Sequence, residues 1–273
     1  MTQGESVHDP WTRVDELPDA ARMVGLLEDR AAHPDQVEMR RRFWEWVEVR
    51  PGEAVLDVGC GTGVWAREAA AIVSARGRVL GVDPSRVLVE AARRLARERG
   101  APPHLAFEVA DGTALPFPDE SWDLVLAATV FTHVQGQTDV IREMARAARR
   151  GGRVAVFEQD LETFVVNHSN RDLTRRIMNL HCDGRVDGWS GRRVLGLMRQ
   201  AGLDEVRCLP LAWVDPDYGP YMRYTLQSRA AFAAERGAAI EAEAKAWLDA
   251  LDGRARDGSF FAGLTYYGFV GIR

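Results

Sequence analysis

Residues 55–63, VLDVGCGTG, place an aliphatic run, a carboxylate and three alternate glycines in nine positions. Each part suits one chemical task. The apolar run reads as a buried parallel strand, and Gly59, Gly61 and Gly63 let the backbone turn sharply and approach a ligand more closely than a Cβ would allow. The alanine-rich stretch 64–75 reads as a helix whose first N–H groups face that turn, a geometry that suits a nucleotide-type ligand. A tight turn without a ligand would need fewer glycines.

Two nucleotide classes compete for such a loop. Residues 61–66, GTGVWA, also fit the dinucleotide pattern G-x-G-x-x-G/A, and Asp83 stands about 20 residues on, where a ribose-binding acid belongs. Asp57 tilts the balance. A carboxylate at the carboxyl end of the first strand suits a cationic ligand, such as a sulfonium carrying an ammonium group, and suits a pyrophosphate poorly.

The elements that position these residues follow from periodicity. Strands are expected at 54–58, 78–82, 105–110, 122–127 and 153–158, with helices near 64–75, 85–99 and 137–149. Gly100 and the pair Gly151-Gly152 are read as stops of the last two helices. Residues 1–18 read as a loosely held polar arm, and 19–49 as two helices, the second placing Val37, Phe43, Trp44 and Val47 near one face. Strand–helix alternation predicts a doubly wound, mostly parallel α/β sheet. The aromatic run 264–272 looks buried on both faces and is expected as an antiparallel last strand beside 206–214.

Three segments, VLDVGCGTG (55–63), RVLGVDPS (78–85) and ADGTALPFPDESWDLVLA (110–127), together resemble the class I S-adenosylmethionine-dependent methyltransferases, and most closely their ubiquinone/menaquinone-biosynthesis-type small-molecule branch. The likeness runs from 55 to 157 and returns more weakly at 264–272. It implies a seven-stranded Rossmann-like sheet and S-adenosyl-L-methionine as cofactor. Asp57 and the three glycines would lie beneath the methionine and ribose. Asp83 would accept from both ribose hydroxyls, Asp111 from the adenine amine with Gly112 and Thr113 alongside, and Pro84 and Leu115 would sandwich the ring. The backbone around Ala128 would hold the methionine ammonium.

In such enzymes 127–134 crosses above the transferred methyl group. His133 is the one titratable side chain there with an ordinary pKa near 7, which makes it the candidate base; a histidine that merely caps the loop before the next helix is the alternative. A sulfonium methyl is already activated, so positioning in a water-shielded site is the main requirement. The resemblance further implies a division into an N-terminal arm and helical cap (1–50) and a cofactor-binding domain (51–273). Lid insertions are expected at 159–190 and 215–260, with Trp11 and its neighbours, Phe164, His168, His181, Trp189, Trp213, Tyr218, Tyr221 and Tyr224 as candidate walls and plain core packing as the alternative for each.

Composition sets bounds. At 273 residues with 46% apolar and 27% charged side chains, one ordinary domain is expected. No run reaches membrane-span length and 1–30 hold no signal-peptide core, so a cytoplasmic protein is expected. Cys60, Cys182 and Cys208 are odd in number and scattered, which suggests reduced thiols and neither disulfide nor metal site. A net charge of −5 argues against a nucleic-acid partner. The expected partner is a small-molecule substrate, with the chain a monomer or homodimer. The acceptor is read as a secondary metabolite or quinone-like compound methylated on O, N or C, and the alternatives are a cofactor-retaining cyclase or an NAD-binding oxidoreductase.

Overall fold

The computed structural model describes residues 9–273. A 3₁₀ helix, Pro10–Glu16, precedes α1 (Ala20–Ala32) and α2 (Pro34–Val47). The core then alternates through β1 (Ala54–Val58), α3 (Val64–Val73), β2 (Arg78–Asp83), α4 (Arg86–Glu98), β3 (Leu105–Val109), β4 (Trp122–Ala128), α5 (Gln137–Ala147) and β5 (Ala148–Val166). Helices α6 (Arg171–Asp183) and α7 (Ser190–Gln200) lead to β6 (Asp204–Asp215). Helices α8 (Pro220–Glu235) and α9 (Glu241–Asp257) lead to β7 (Ala262–Ile272).

Among the described residues the seven strands form one sheet in the order β3-β2-β1-β4-β5-β7-β6. The first five pair in parallel, and β7 runs antiparallel to both β5 and β6. The expected doubly wound sheet and its reversed last strand are both present. Strand order reverses at β1 and β4, so the crevice beyond their carboxyl ends is where such a sheet accepts a ligand.

Local sequence explains the elements. In α3 the buried Ala66, Ala69, Ala70 and Val73 recur at helical spacing and form a narrow stripe that packs close to the sheet. Ser85 caps α4, its hydroxyl accepting from Leu88 N at 3.2 Å. On one face of the sheet Phe43, Trp44, Trp65, Phe157 and Tyr266 form a chain of ring contacts.

Three local expectations need correction. Helix α5 ends at Ala147 and runs directly into β5, so Gly151-Gly152 lie in the strand segment and stop no helix. Val37 is 47% exposed while Phe43, Trp44 and Val47 are buried, because the buried stripe of α2 runs through Met39 and Arg40 instead. The described part of the N-terminal arm is firmly tied. Asp15 accepts from Arg86 N (3.0 Å) and Val87 N (3.3 Å) at the start of α4, and the side chain of Asp9 is fully buried.

Gly63 serves packing. Its φ is +80°, and a Cβ there would stand 2.5 Å from two ring atoms of Phe107. Gly63→Ala is therefore expected to destabilise the fold by about 2–4 kcal/mol, from left-handed strain plus overpacking. Phe107→Leu in that background should recover part of the loss, the overpacking component alone. Urea unfolding of the three proteins measures this, and an unchanged midpoint for Gly63→Ala would rule out the packing account.

Candidate active site

A cavity of about 680 Å³ opens at the carboxyl ends of β1, β2 and β4. Gly59, Gly61, Asp83, Pro84, Asp111, Gly112, Ala128 and His133 all line it, so the fold brings together residues spread over 75 positions of sequence. Backbone at Gly59 has φ +71°, and a Cβ there would overlap a methyl of Val130 across the cavity floor. Bare backbone at that spot is what close approach to a ligand requires.

Asp83 ends β2. Its Oδ2 accepts from Gly61 N and its Oδ1 from Ser85 N, both at 2.9 Å, so the carboxylate also shapes the glycine loop. Burial raises its pKa to about 6 against those two N–H groups, and the charge of Asp15 adds to the rise.

Four expected contacts lie off the cavity wall. Asp57 is 1% exposed and is not among the residues that line the cavity. Neither of its oxygens completes a hydrogen bond among the described residues, although Ala66 N approaches. Burial, the charge of Asp83 and then that of Glu68 raise its pKa to about 7. Gly63 faces Phe107, as above. Thr113 is turned toward Asp111, donating to Oδ1 from both N and Oγ1 at 2.8 Å. Leu115 is also displaced, since it packs in the core beneath the sheet and its N–H donates to Glu143. Leu88, not singled out from the sequence, stands on the wall beside Pro84 instead.

The segment after β4 is held under tension. Thr129 adopts φ +55°, a conformation that costs a non-glycine residue about 1–3 kcal/mol. Its N–H donates to Phe157 O at 2.7 Å, and its Oγ1 accepts from Arg30 Nη2 at 3.2 Å. Glu158, fully buried on β5, accepts from Phe131 N (2.8 Å), Thr132 Oγ1 (2.9 Å) and Gln159 N (3.0 Å). Burial raises its carboxyl to about 7 in spite of those donors. These bonds fix the backbone one and two residues ahead of His133.

His133 has a partner that sequence reasoning missed. Its Nδ1 meets Asp9 Oδ2 at 2.6 Å, and the other oxygen of Asp9 accepts from Arg185 Nη1 at 3.1 Å. Arg185 Nη2 in turn lies 3.3 Å from His181 Nδ1. Burial lowers the pKa of His133 below 6.5, opposed by Asp9. Burial would raise Asp9, but the hydrogen bond and charge of His133 and the charge of Arg185 leave its carboxyl below the ordinary range. Nδ1–H donating to a carboxylate leaves Nε2 with the free lone pair, the tautomer of a base. No local signal marks Asp9, which lies in a segment read as loose.

Behind His133 and Trp11 lies a second cavity of about 120 Å³. Of the expected lid residues, His181, Tyr221 and Tyr224 line it, while Phe164 is buried below Arg229. His168 packs at a tilt on Trp247, Trp189 is exposed under Arg192, Trp213 packs on His33, and Tyr218 stacks on Phe260.

A methyltransferase-domain family matches residues 55–152. Methyltransferase GfsG of Streptomyces halstedii is 30% identical over 85% of this chain and 77% of its own length. An uncharacterized 37.1 kDa protein in transposon TN4556 of Streptomyces fradiae is 31% identical over 81% of this chain; the match spans 63% of that relative, less than two thirds of it. The ubiquinone/menaquinone biosynthesis C-methyltransferase UbiE of Hahella chejuensis is 34% identical over 58% of this chain and 68% of its own. Among solved structures, the [4+2]-cyclase SpnF shares the fold with TM-score 0.52 at 23% identity, covering 84% of this chain and 79% of that one. Motifs, sheet order and relatives agree: the chain belongs to the class I S-adenosylmethionine-dependent methyltransferases, whose methyl donor is S-adenosyl-L-methionine.

Proposed function

We propose that this protein transfers a methyl group from S-adenosyl-L-methionine to O, N or C of a small-molecule acceptor, a secondary metabolite or quinone-like compound. The observation that carries this reading is the His133–Asp9 pair on the wall of a cavity whose floor is the bare backbone of Gly59. The residues fit the cofactor. Gly59 and Gly61 offer unobstructed backbone, and Asp83 has lone pairs left for ribose hydroxyls. Asp111, on the cavity wall with Gly112, would accept from an adenine amine. Pro84 and Leu88 supply apolar surface for the ring, and the backbone at Ala128 supplies carbonyl acceptors for an ammonium. Asp57, whose carboxyl burial raises to about 7, would be drawn into its charged form by a cationic ligand, and Thr113 orients Asp111.

When bound, the cofactor supplies an electrophilic methyl on a neutral leaving group. The chain's own part is to align the acceptor, keep water out and take a proton where the acceptor carries one. His133 Nε2 is the receiving atom, and Asp9 holds the ring in the required tautomer. The 3₁₀ helix with α1 and α2 supplies the cap residues that line the cavity, and α6 and α8 line the smaller cavity beside it. The same reading makes the protein a cytoplasmic monomer or homodimer that binds neither nucleic acid nor membrane. Its support is the net charge of −5 and the lack, among the described residues, of any helix long and apolar enough to cross a membrane.

Thermal shift tests the ligand class. S-adenosylhomocysteine at about 100 times its Kd should add about 2.7 kcal/mol, whereas NAD should leave the midpoint unmoved. Labelled-methyl transfer to candidate phenols and quinols then tests the reaction. Stabilisation by NAD alone would overturn the family assignment of the cavity. Product formed with the cofactor bound but unconsumed would favour the cyclase reading.

A further inference from the structure

We infer that the second cavity is an anion subsite that holds a carboxylate of the acceptor, with Arg229 as its main ligand; this rests on the methyl-transfer reading above. Arg229, on α8, is only 5% exposed. Its guanidinium lies over the Phe164 ring, 4.2 Å from the centroid, and makes no hydrogen bond among the described residues; Nε and Nη1 are fully enclosed. Leaving a buried cation unpaired is costly, and such groups are normally paired or hydrogen-bonded.

The surroundings share one sign. Arg30, Arg185 and Arg229 all line the cavity, and among the described residues no Asp or Glu does. Arg185 is already committed to Asp9 and His181. Arg30 makes one bond, to Thr129 Oγ1. Among the described lining residues Arg229 is thus the cation without a hydrogen-bond partner, and the hydroxyl-bearing Tyr221, Tyr224, Thr225 and Ser228 line the same cavity. Burial holds the Arg229 pKa down at about 10, and burial together with the charges of Arg229 and Arg185 keeps His181 well below 6.5 and neutral. A compact oxyanion would satisfy the guanidinium and collect hydroxyl donors as well. The volume of about 120 Å³ suits a carboxylate on one ring better than a long chain. His133, Arg30, Trp11 and Leu27 line both cavities, so an acceptor anchored at Arg229 would present its remaining end to His133 and the first cavity.

Benzoate and benzamide, alike in shape and different in charge, test this by calorimetry on protein saturated with S-adenosylhomocysteine and on the unliganded protein. Wild type should prefer benzoate by about 10–100-fold, the value of one charge-assisted pairing. Arg229→Met should erase that preference while S-adenosylhomocysteine affinity stays the same, and Arg229→Lys should keep part of it. Arg229→Met should also melt at the same or a higher temperature, because an isosteric apolar group relieves a buried unpaired charge. A structural arginine would give the opposite thermal result. Equal binding of the two probes, no benzoate binding at all, or a preference that survives in Arg229→Met would overturn the inference. Inorganic phosphate displacing benzoate and binding more tightly would reassign the subsite to phosphate esters. Loss of S-adenosylhomocysteine binding in the wild type is a separate failure, that of the methyl-transfer reading, and the unliganded arm reads the anion site regardless.

Discussion

His133→Ala is expected to lower turnover by about 10²–10⁴-fold while cofactor affinity stays intact, the range of a positioned base. The expectation rests on the pairing of His133 Nδ1 with Asp9, whose side chain is fully buried and shared with Arg185. The sign of the pH effect follows from His133 itself. Burial lowers its pKa below 6.5, with Asp9 opposing, so the neutral, proton-accepting form dominates at neutrality. The wild-type rate should therefore be flat from pH 7 upward and fall as pH drops through that lowered pKa. Asp9→Asn removes the opposing carboxylate, so its acid limb should move to still lower pH while its turnover drops. Steady-state rates and S-adenosylhomocysteine titrations of the three proteins decide the matter. A loss below tenfold in His133→Ala, with an unchanged pH profile, would leave proximity and orientation as the whole of catalysis.

Asp83→Ala is expected to weaken S-adenosylmethionine binding by about 2–4 kcal/mol, because two ribose hydroxyls lose one charged acceptor together. The sequence alone suggests no effect on folding, since the residue sits at the mouth of the sheet. The structure changes that expectation, because the same carboxylate holds Gly61 N and Ser85 N. A second effect opposes the loss. The pKa of Asp83 is raised in the fold from 3.8 to about 6, so its ionisation removes stability as pH rises across that interval. Above pH 6 alanine relieves this while orphaning two N–H groups. The stability change should thus be small and the affinity change large. Calorimetry at pH 7.5 gives the affinity, and urea unfolding gives the stability. Unchanged affinity with lowered stability would make Asp83 a structural tie of the loop alone.

Local sequence determined much of this protein. Short apolar runs and helical stripes specify β1 to β5 and the helices between them, because they record that the central strands are buried on both faces and each helix on one. The turn at 59–63 is legible for the same reason, since only glycine tolerates its backbone angles and its close approach to Val130. Even the reversed β7 is readable, as its residues are buried on both faces. Side-chain direction at the loop is less legible. Asp57, Gly63 and Thr113 sit in the right motifs yet do not line the cavity, Gly63 because it packs on Phe107 and Thr113 because it bonds Asp111.

The chemistry beyond the cofactor was decided by tertiary structure alone. Asp9 meets His133 across 124 positions and Arg185 across 176, and Arg229 reaches the same region from α8. No periodicity encodes such meetings, since they depend on how the N-terminal segment and the helices after β5 settle over the sheet. A residue such as Asp9 reads as a solvated turn acid until packing removes its water and gives it two partners. Arg229 reads as a surface cation until α8 buries it with none among the described residues. Burial, a property of the whole fold, is what sets these ordinary side chains apart, Asp9 enclosed with His133 and Arg185, and Arg229 enclosed over the Phe164 ring.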